Sequence, residues 1–112
     1  MKRTIKNLSK MDGRVYVYLP NDEIGNNFMV TAESEGFTFG DGVLPTKRNY
    51  AGIMAVNEDM TINYVGANGR IAFGAGAKGI TRIDYKKYAD GAENYFYKKS
   101  VYENRARVKD NT

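Results

Sequence analysis

The sequence predicts an α+β fold: one helix near the N-terminus packed on a mostly antiparallel twisted sheet of about five strands, with a weak helix toward the C-terminus. Three observations lead there. A single stretch, residues 22–34, places apolar residues at helical spacing. Several short stretches alternate and are rich in β-branched and aromatic residues. Glycine, Asn and Asp punctuate the chain between them. One helix laid on one sheet is the economical way to cover an apolar face on each.

The first strand is Arg14-Val15-Tyr16-Val17-Tyr18-Leu19, introduced by the turn pair Asp12-Gly13. Alternation puts Val15, Val17 and Leu19 on one face and Tyr16 and Tyr18 on the other. Pro20 ends it. Asn21 is a helix cap, and Asp22 and Glu23 suit the positive end of a helix dipole. Ile24, Phe28 and Ala32, with Met29, form the apolar stripe of a helix over about residues 22–34. Gly36 is placed to stop it.

Phe37-Thr38-Phe39 reads as a short strand before Gly40-Asp41-Gly42, and residues 43–49 with Pro45 read as a loop. Ile53–Val56 and Thr61–Val65 read as strands joined by a hairpin at Asn57–Met60. The Asn-Gly pair in Gly66-Ala67-Asn68-Gly69 predicts a second tight hairpin, followed by a strand over Arg70–Phe73. A glycine-rich connection then leads to a strand over Thr81–Tyr85. Tyr88, Ala92, Tyr95 and Phe96 have helical spacing, interrupted by Asp90-Gly91, and Tyr95-Phe96-Tyr97 reads equally as strand. The expected unit is one domain over residues 1–97, with a basic polar tail over 98–112.

Composition narrows the chemistry. The 112 residues include no cysteine and no histidine. Thiolate and imidazole metal sites, Cys nucleophiles and His-based acid–base catalysis are therefore excluded. No cofactor or metal is expected. The N-terminus is basic without the apolar run of about 7–15 residues that a signal peptide needs, nor one of about 20 for a membrane helix. A cytoplasmic protein, without a membrane partner, is the expectation.

The net charge of +4 is unevenly spread. Residues 1–10 carry four basic and no acidic groups, residues 11–77 four basic and eight acidic, and residues 78–112 nine basic and five acidic. Basic ends suit phosphate backbones, and equally suit simple solvation of the termini.

Four constellations bear on function. Gly74-Ala75-Gly76-Ala77-Lys78-Gly79 matches G-x-G-x-x-G, but a strand rather than a helix is expected after it. It reads as a glycine-rich loop, with a phosphate nest at Lys78 as the weaker alternative. Asp41, Asp59 and Asp84 sit near strand ends without catalytic or calcium-loop spacing. Tyr16 and Tyr18, expected on the uncovered face with Tyr64 from a neighbouring strand, lie near Arg14, Arg70 and Arg82. Such a face stacks nucleobases or holds a protein, unless it is ordinary cross-strand packing. The C-terminal run interleaves Tyr95, Phe96, Tyr97 and Tyr102 with Lys98, Lys99, Arg105, Arg107 and Lys109. That pattern suits a single-stranded nucleic acid or an acidic protein surface.

The runs Met11–Leu19, Glu33–Gly42, Ile53–Asn57 and Thr61–Gly66 give the chain a resemblance to a protein group. It resembles small uncharacterised proteins of Firmicutes phages and conjugative elements over roughly residues 11–95. The resemblance carries no catalytic motif. It implies an accessory protein that binds and blocks a host component, such as an anti-CRISPR inhibitor of a type II, Cas9-type nuclease in the host cytosol. The net basic charge departs from strongly acidic DNA mimics. The sequence thus leads to a non-enzymatic binding protein whose partner is a host defence protein or ribonucleoprotein. The alternatives are a general nucleic-acid binder and a nucleotide-sequestering protein built on the glycine loops.

Overall fold

The computed structural model describes residues 3–98. Lys99, Arg105, Arg107 and Lys109, and with them all of the expected tail but Lys98, lie outside the described residues. The described chain is α+β. Its five strands are β1 (Arg14–Tyr18), β2 (Thr38–Phe39), β3 (Ile53–Val56), β4 (Thr61–Tyr64) and β5 (Ile80–Asp84). Its helices are α1 (Ile5–Ser9), α2 (Asp22–Ser34), α3 (Ala67–Ala75) and α4 (Tyr85–Asp90), with a 3-10 turn at Pro45–Lys47.

The sheet order is β2-β4-β3-β1-β5. It is mixed rather than mostly antiparallel. β3 runs antiparallel to β1 and β4, while β1 pairs with β5 and β2 with β4 in parallel. Parallel pairs need a crossover between them. From β1 to β2 the crossover is α2, running across the sheet one way. From β4 to β5 it is α3, running the other way. Two crossovers of one hand that run in opposite directions must cover opposite faces.

α2 forms where the sequence places it. The Asn21 side chain accepts the Ile24 N–H at 3.0 Å. Phe28, Met29 and Ala32 turn inward against Val15, Val17, Leu19, Met54, Val56, Ile62 and Ile83. Gly36 (φ 98°) ends the helix, and the Phe37 N–H reaches back to the Ala32 carbonyl at 2.9 Å. This is the Schellman closure, which a left-handed residue makes possible. Each large side chain fully buried here contributes about 1.5–3 kcal/mol.

The same face is also covered by α1 and α4, which bring Ile5, Leu8, Tyr85 and Tyr88. α1 lies within the basic N-terminal segment. Thr4 caps it through the Asn7 N–H. α4 starts at Tyr85 and stops at Gly91, one turn ahead of the spacing read from Tyr88 to Phe96. The hairpin at Asn57–Met60 joins β3 and β4 as expected, with Met60 at φ 68°.

The stretch expected to be a hairpin and a strand is α3. Gly66 precedes its first turn, and Gly76 (φ 67°) ends it with the Ala77 N–H on the Ala72 carbonyl at 3.0 Å. The helix supplies the crossover that parallel β4 and β5 require. Among the described residues, no helix is long and apolar enough to cross a membrane.

Candidate functional site

Strand alternation in β1 puts Arg14, Tyr16 and Tyr18 on the face opposite Val15 and Val17. Register places Ala55 and Arg82 on either side of Tyr16. This face is not open. α3 lies on it, and Phe73 packs with Tyr16 and Ala55 in a second small core. Tyr16 is 8% exposed, so its ring is unavailable to a nucleobase. Tyr18 is half-buried, and its ring centroid lies 4.9 Å from that of Tyr97. Tyr64 does not join them. It pairs with Met54 and so belongs to the other face, where its ring meets Phe39 and its hydroxyl donates to the Asn49 carbonyl at 2.7 Å.

Arg82 has a structural role. Its Nη1 donates to the Phe73 carbonyl at 2.9 Å, in the last turn of α3. A cation there complements the helix dipole. Its guanidinium also lies 5.7 Å from the Phe73 ring and 5.3 Å from the Tyr97 ring.

The remaining cations ring α3. Arg14 is exposed at the start of β1, and its N–H donates to the Gly79 carbonyl at 2.8 Å, beside Lys78 in the loop after α3. Arg70 is exposed on α3 itself, and Lys98 is exposed after Tyr97, whose ring lies 4.8 Å from Phe73. None of these four cations joins an ion pair among the described residues; the pairs there are Arg48–Asp41 and Lys86–Asp90. From Met60 to Ile83 the sequence has no acidic residue. The α3 N-terminus has no side-chain cap and no carboxylate in its first turn. Its free N–H groups therefore add to the positive field of Arg70. Lys98 is the one cation of the C-terminal run that the described residues bring to this side.

The G-x-G-x-x-G run sits at the wrong end of a helix for a phosphate. Gly74 is inside α3, and Gly76 closes its C-terminus. Carbonyls, carrying the negative end of the dipole, point there. The three candidate carboxylates are each engaged locally. Asp41 pairs with Arg48 at 2.6 Å and also accepts the Val43 N–H, and these contacts hold its carboxyl below the usual range. Asp59 accepts the Thr61 hydroxyl at 2.5 Å, and Asp84 caps α4 through the Lys87 N–H at 3.3 Å.

A polar cleft of about 610 Å³ opens at the carboxyl end of β1, lined by Asp22, Asn26, Asn49 and Tyr50 above Leu19 and Pro20. Tyr50 donates to Asp22 at 2.5 Å, which raises the phenol's pKa and removes it as a base near neutral pH. No cluster of three or more potential metal ligands occurs among the described residues. The chain matches no protein-family model, no curated protein and no solved structure, so the residue roles rest on geometry alone.

Phe73 and Tyr97 went unrecognised as partners of the tyrosine face. Phe73 was legible as an aromatic, but only a helix at 67–75 places it over Tyr16. Tyr97 was visible within the aromatic and basic run.

Proposed function

We propose that the chain is a binding protein rather than an enzyme, and that it meets a nucleic-acid-containing partner through the basic side built around α3. The observation that carries this reading is a set of four cations, Arg14, Arg70, Lys78 and Lys98, that make no ion pair among the described residues and lie around an acid-free helix. Exposed cations release counterions when a phosphate backbone arrives. The lack of His and Cys, and the local engagement of Asp41, Asp59 and Asp84, support a role without catalysis. The G-x-G-x-x-G run ends a helix rather than starting one, which weighs against the nucleotide-sequestering alternative.

The resemblance to mobile-element accessory proteins points to one such partner, a Cas9-type effector loaded with its guide. A net basic inhibitor would touch the effector's nucleic acid rather than imitate it. Co-purification with a guide-loaded type II effector, followed by a cleavage assay, tests this. Association with loss of cleavage is expected. Neither association nor inhibition would remove this partner. A labelled single strand titrated with the protein then decides whether general nucleic-acid binding survives without it.

A further inference from the structure

We propose that the groove between Tyr18, Phe73 and Arg82 is a nucleobase-stacking site, occupied by Tyr97 when no nucleic acid is bound. This rests on the reading that nucleic acid meets the α3 side. The groove has two aromatic walls from different elements, Tyr18 on β1 and Phe73 on α3. The planar Arg82 guanidinium on β5 completes it. A ring already sits there. The Tyr97 centroid lies 4.9 Å from Tyr18, 4.8 Å from Phe73 and 5.3 Å from the Arg82 guanidinium carbon. These are the separations at which aromatic pairs and cation–π contacts are favourable. Every nucleobase offers a π face that suits the same walls.

Tyr97 is carried on a strap whose Tyr95 packs edge-on against Tyr88 and lies under the Arg3 guanidinium. Beyond Tyr95, among the described residues, the strap joins the sheet edge by one antiparallel bridge, Ile83 with Phe96. Two backbone hydrogen bonds flank it, Asp84 N–H to the Tyr95 carbonyl at 2.8 Å and Tyr97 N–H to the Arg82 carbonyl at 2.9 Å. Phe96 is 44% exposed and anchors little. Lifting the strap leaves the β1–β5 ladder intact, five residues on each strand. It also leaves the bond from Arg82 to the Phe73 carbonyl, which fixes both the cation and one wall. The groove therefore survives without its occupant. Local openings of this kind lie below the cost of global unfolding. A base must displace Tyr97, so the apparent affinity is lowered by the fraction of time the groove is open. Arg14, on the same sheet face, and Arg70, on α3, are placed to hold the flanking phosphates.

The test compares wild type with Tyr97→Ala on two labelled ligands, an oligothymidylate and an abasic oligomer of equal length and charge. For a strap open about one-tenth of the time, Tyr97→Ala tightens binding of the oligothymidylate roughly tenfold. The abasic oligomer is bound equally by both proteins. Equal affinity of wild type and variant for the oligothymidylate, or a loss in the variant, overturns the groove while leaving phosphate binding in place. Failure of both ligands to bind both proteins overturns the groove and the reading beneath it. A second measurement needs no variant. In native-state hydrogen exchange the Tyr97 amide should exchange well ahead of the Leu19 amide, which bonds to the Gly52 carbonyl at 2.8 Å inside the sheet. Exchange of both at the global rate also overturns the proposal.

Discussion

The carboxylate of Glu35, just past the end of α2, accepts the backbone N–H groups of Ile5 at 2.9 Å and Lys6 at 2.8 Å. Those are the first two amides of α1, which no helical carbonyl can satisfy. One side chain thus ties the N-terminal segment to the main helix across the chain. Replacing it leaves those donors without a partner. Glu35→Ala should cost about 1–2 kcal/mol, the scale of a lost helix cap. A domain of this size then melts roughly 4–8 °C lower for each kcal/mol. Thermal denaturation followed by circular dichroism measures it; an unchanged midpoint would mean that α1 is not held this way.

Gly25 offers a test in which the sign decides. Gly→Ala inside a helix ordinarily stabilises by about 0.5–1 kcal/mol. Here a Cβ would run into the Tyr50 ring, which is held by its hydrogen bond to Asp22. Gly25→Ala should therefore destabilise, by about 1–3 kcal/mol. Adding Tyr50→Ala removes the clash and should make the Gly25→Ala step neutral or favourable. Urea denaturation of the four members of this cycle supplies the comparison.

Ile71 and Phe73 distinguish the helix from the strand that the sequence suggests. In a strand both would share one face. In α3, Phe73 is 2% exposed and Ile71 70% exposed. Phe73→Ala should cost about 3–5 kcal/mol. Ile71→Lys should stay within about 0.5 kcal/mol of wild type. Equal and large costs at both positions would restore the strand.

Two carboxylates with lowered pKa and phenols with raised pKa bear on the pH limits. The Thr46 hydroxyl and N–H lower the pKa of Glu33, and Arg48 lowers that of Asp41. A depressed folded pKa stabilises above the unfolded value and is lost as pH falls through the folded one. Stability should thus decline below about pH 4, and Glu33→Gln with Asp41→Asn should flatten that limb. Burial, with Tyr95 beside it, pushes the Tyr88 phenol up to about 12. A raised folded pKa stabilises below the unfolded value, about 10, and is lost as pH rises through the folded one. Tyr50 and Tyr85 are raised too, by the hydrogen bond to Asp22 and by burial respectively, so ultraviolet titration should show late phenols, one of which Tyr88→Phe removes. Titration of every tyrosine near pH 10 in the folded protein would contradict this.

Much of this fold was legible from local signals. The Val15/Val17 alternation, the Asn21 cap, the Phe28-Ala32 stripe and the Gly36 stop each act within a few residues. α1 carried a signal too, Thr4 as a cap with Ile5 and Leu8 three apart, which the basic character of the segment obscured. α3 was not legible locally. Asn68-Gly69 is a good hairpin pair, and Arg70–Phe73 alternates well enough for a strand. The helix is required by a non-local fact, the parallel pairing of β1 with β5, which no local pattern announces. That single difference decided the candidate site, since α3 turns the tyrosine side from an open face into a second core. The cations were readable, while their lack of ion pairs among the described residues required the structure.

The central claim is that the cations around α3 receive a phosphate backbone. It is tested by the salt dependence of single-stranded DNA binding, for wild type and for a variant carrying Arg14→Ala, Arg70→Ala and Lys78→Ala. For single strands the logarithmic slope changes by about 0.7 for each phosphate contact. Removing three contacts should weaken binding and make the slope shallower by about 2. An unchanged slope and affinity in the variant, or no salt-dependent binding by wild type, would contradict the account.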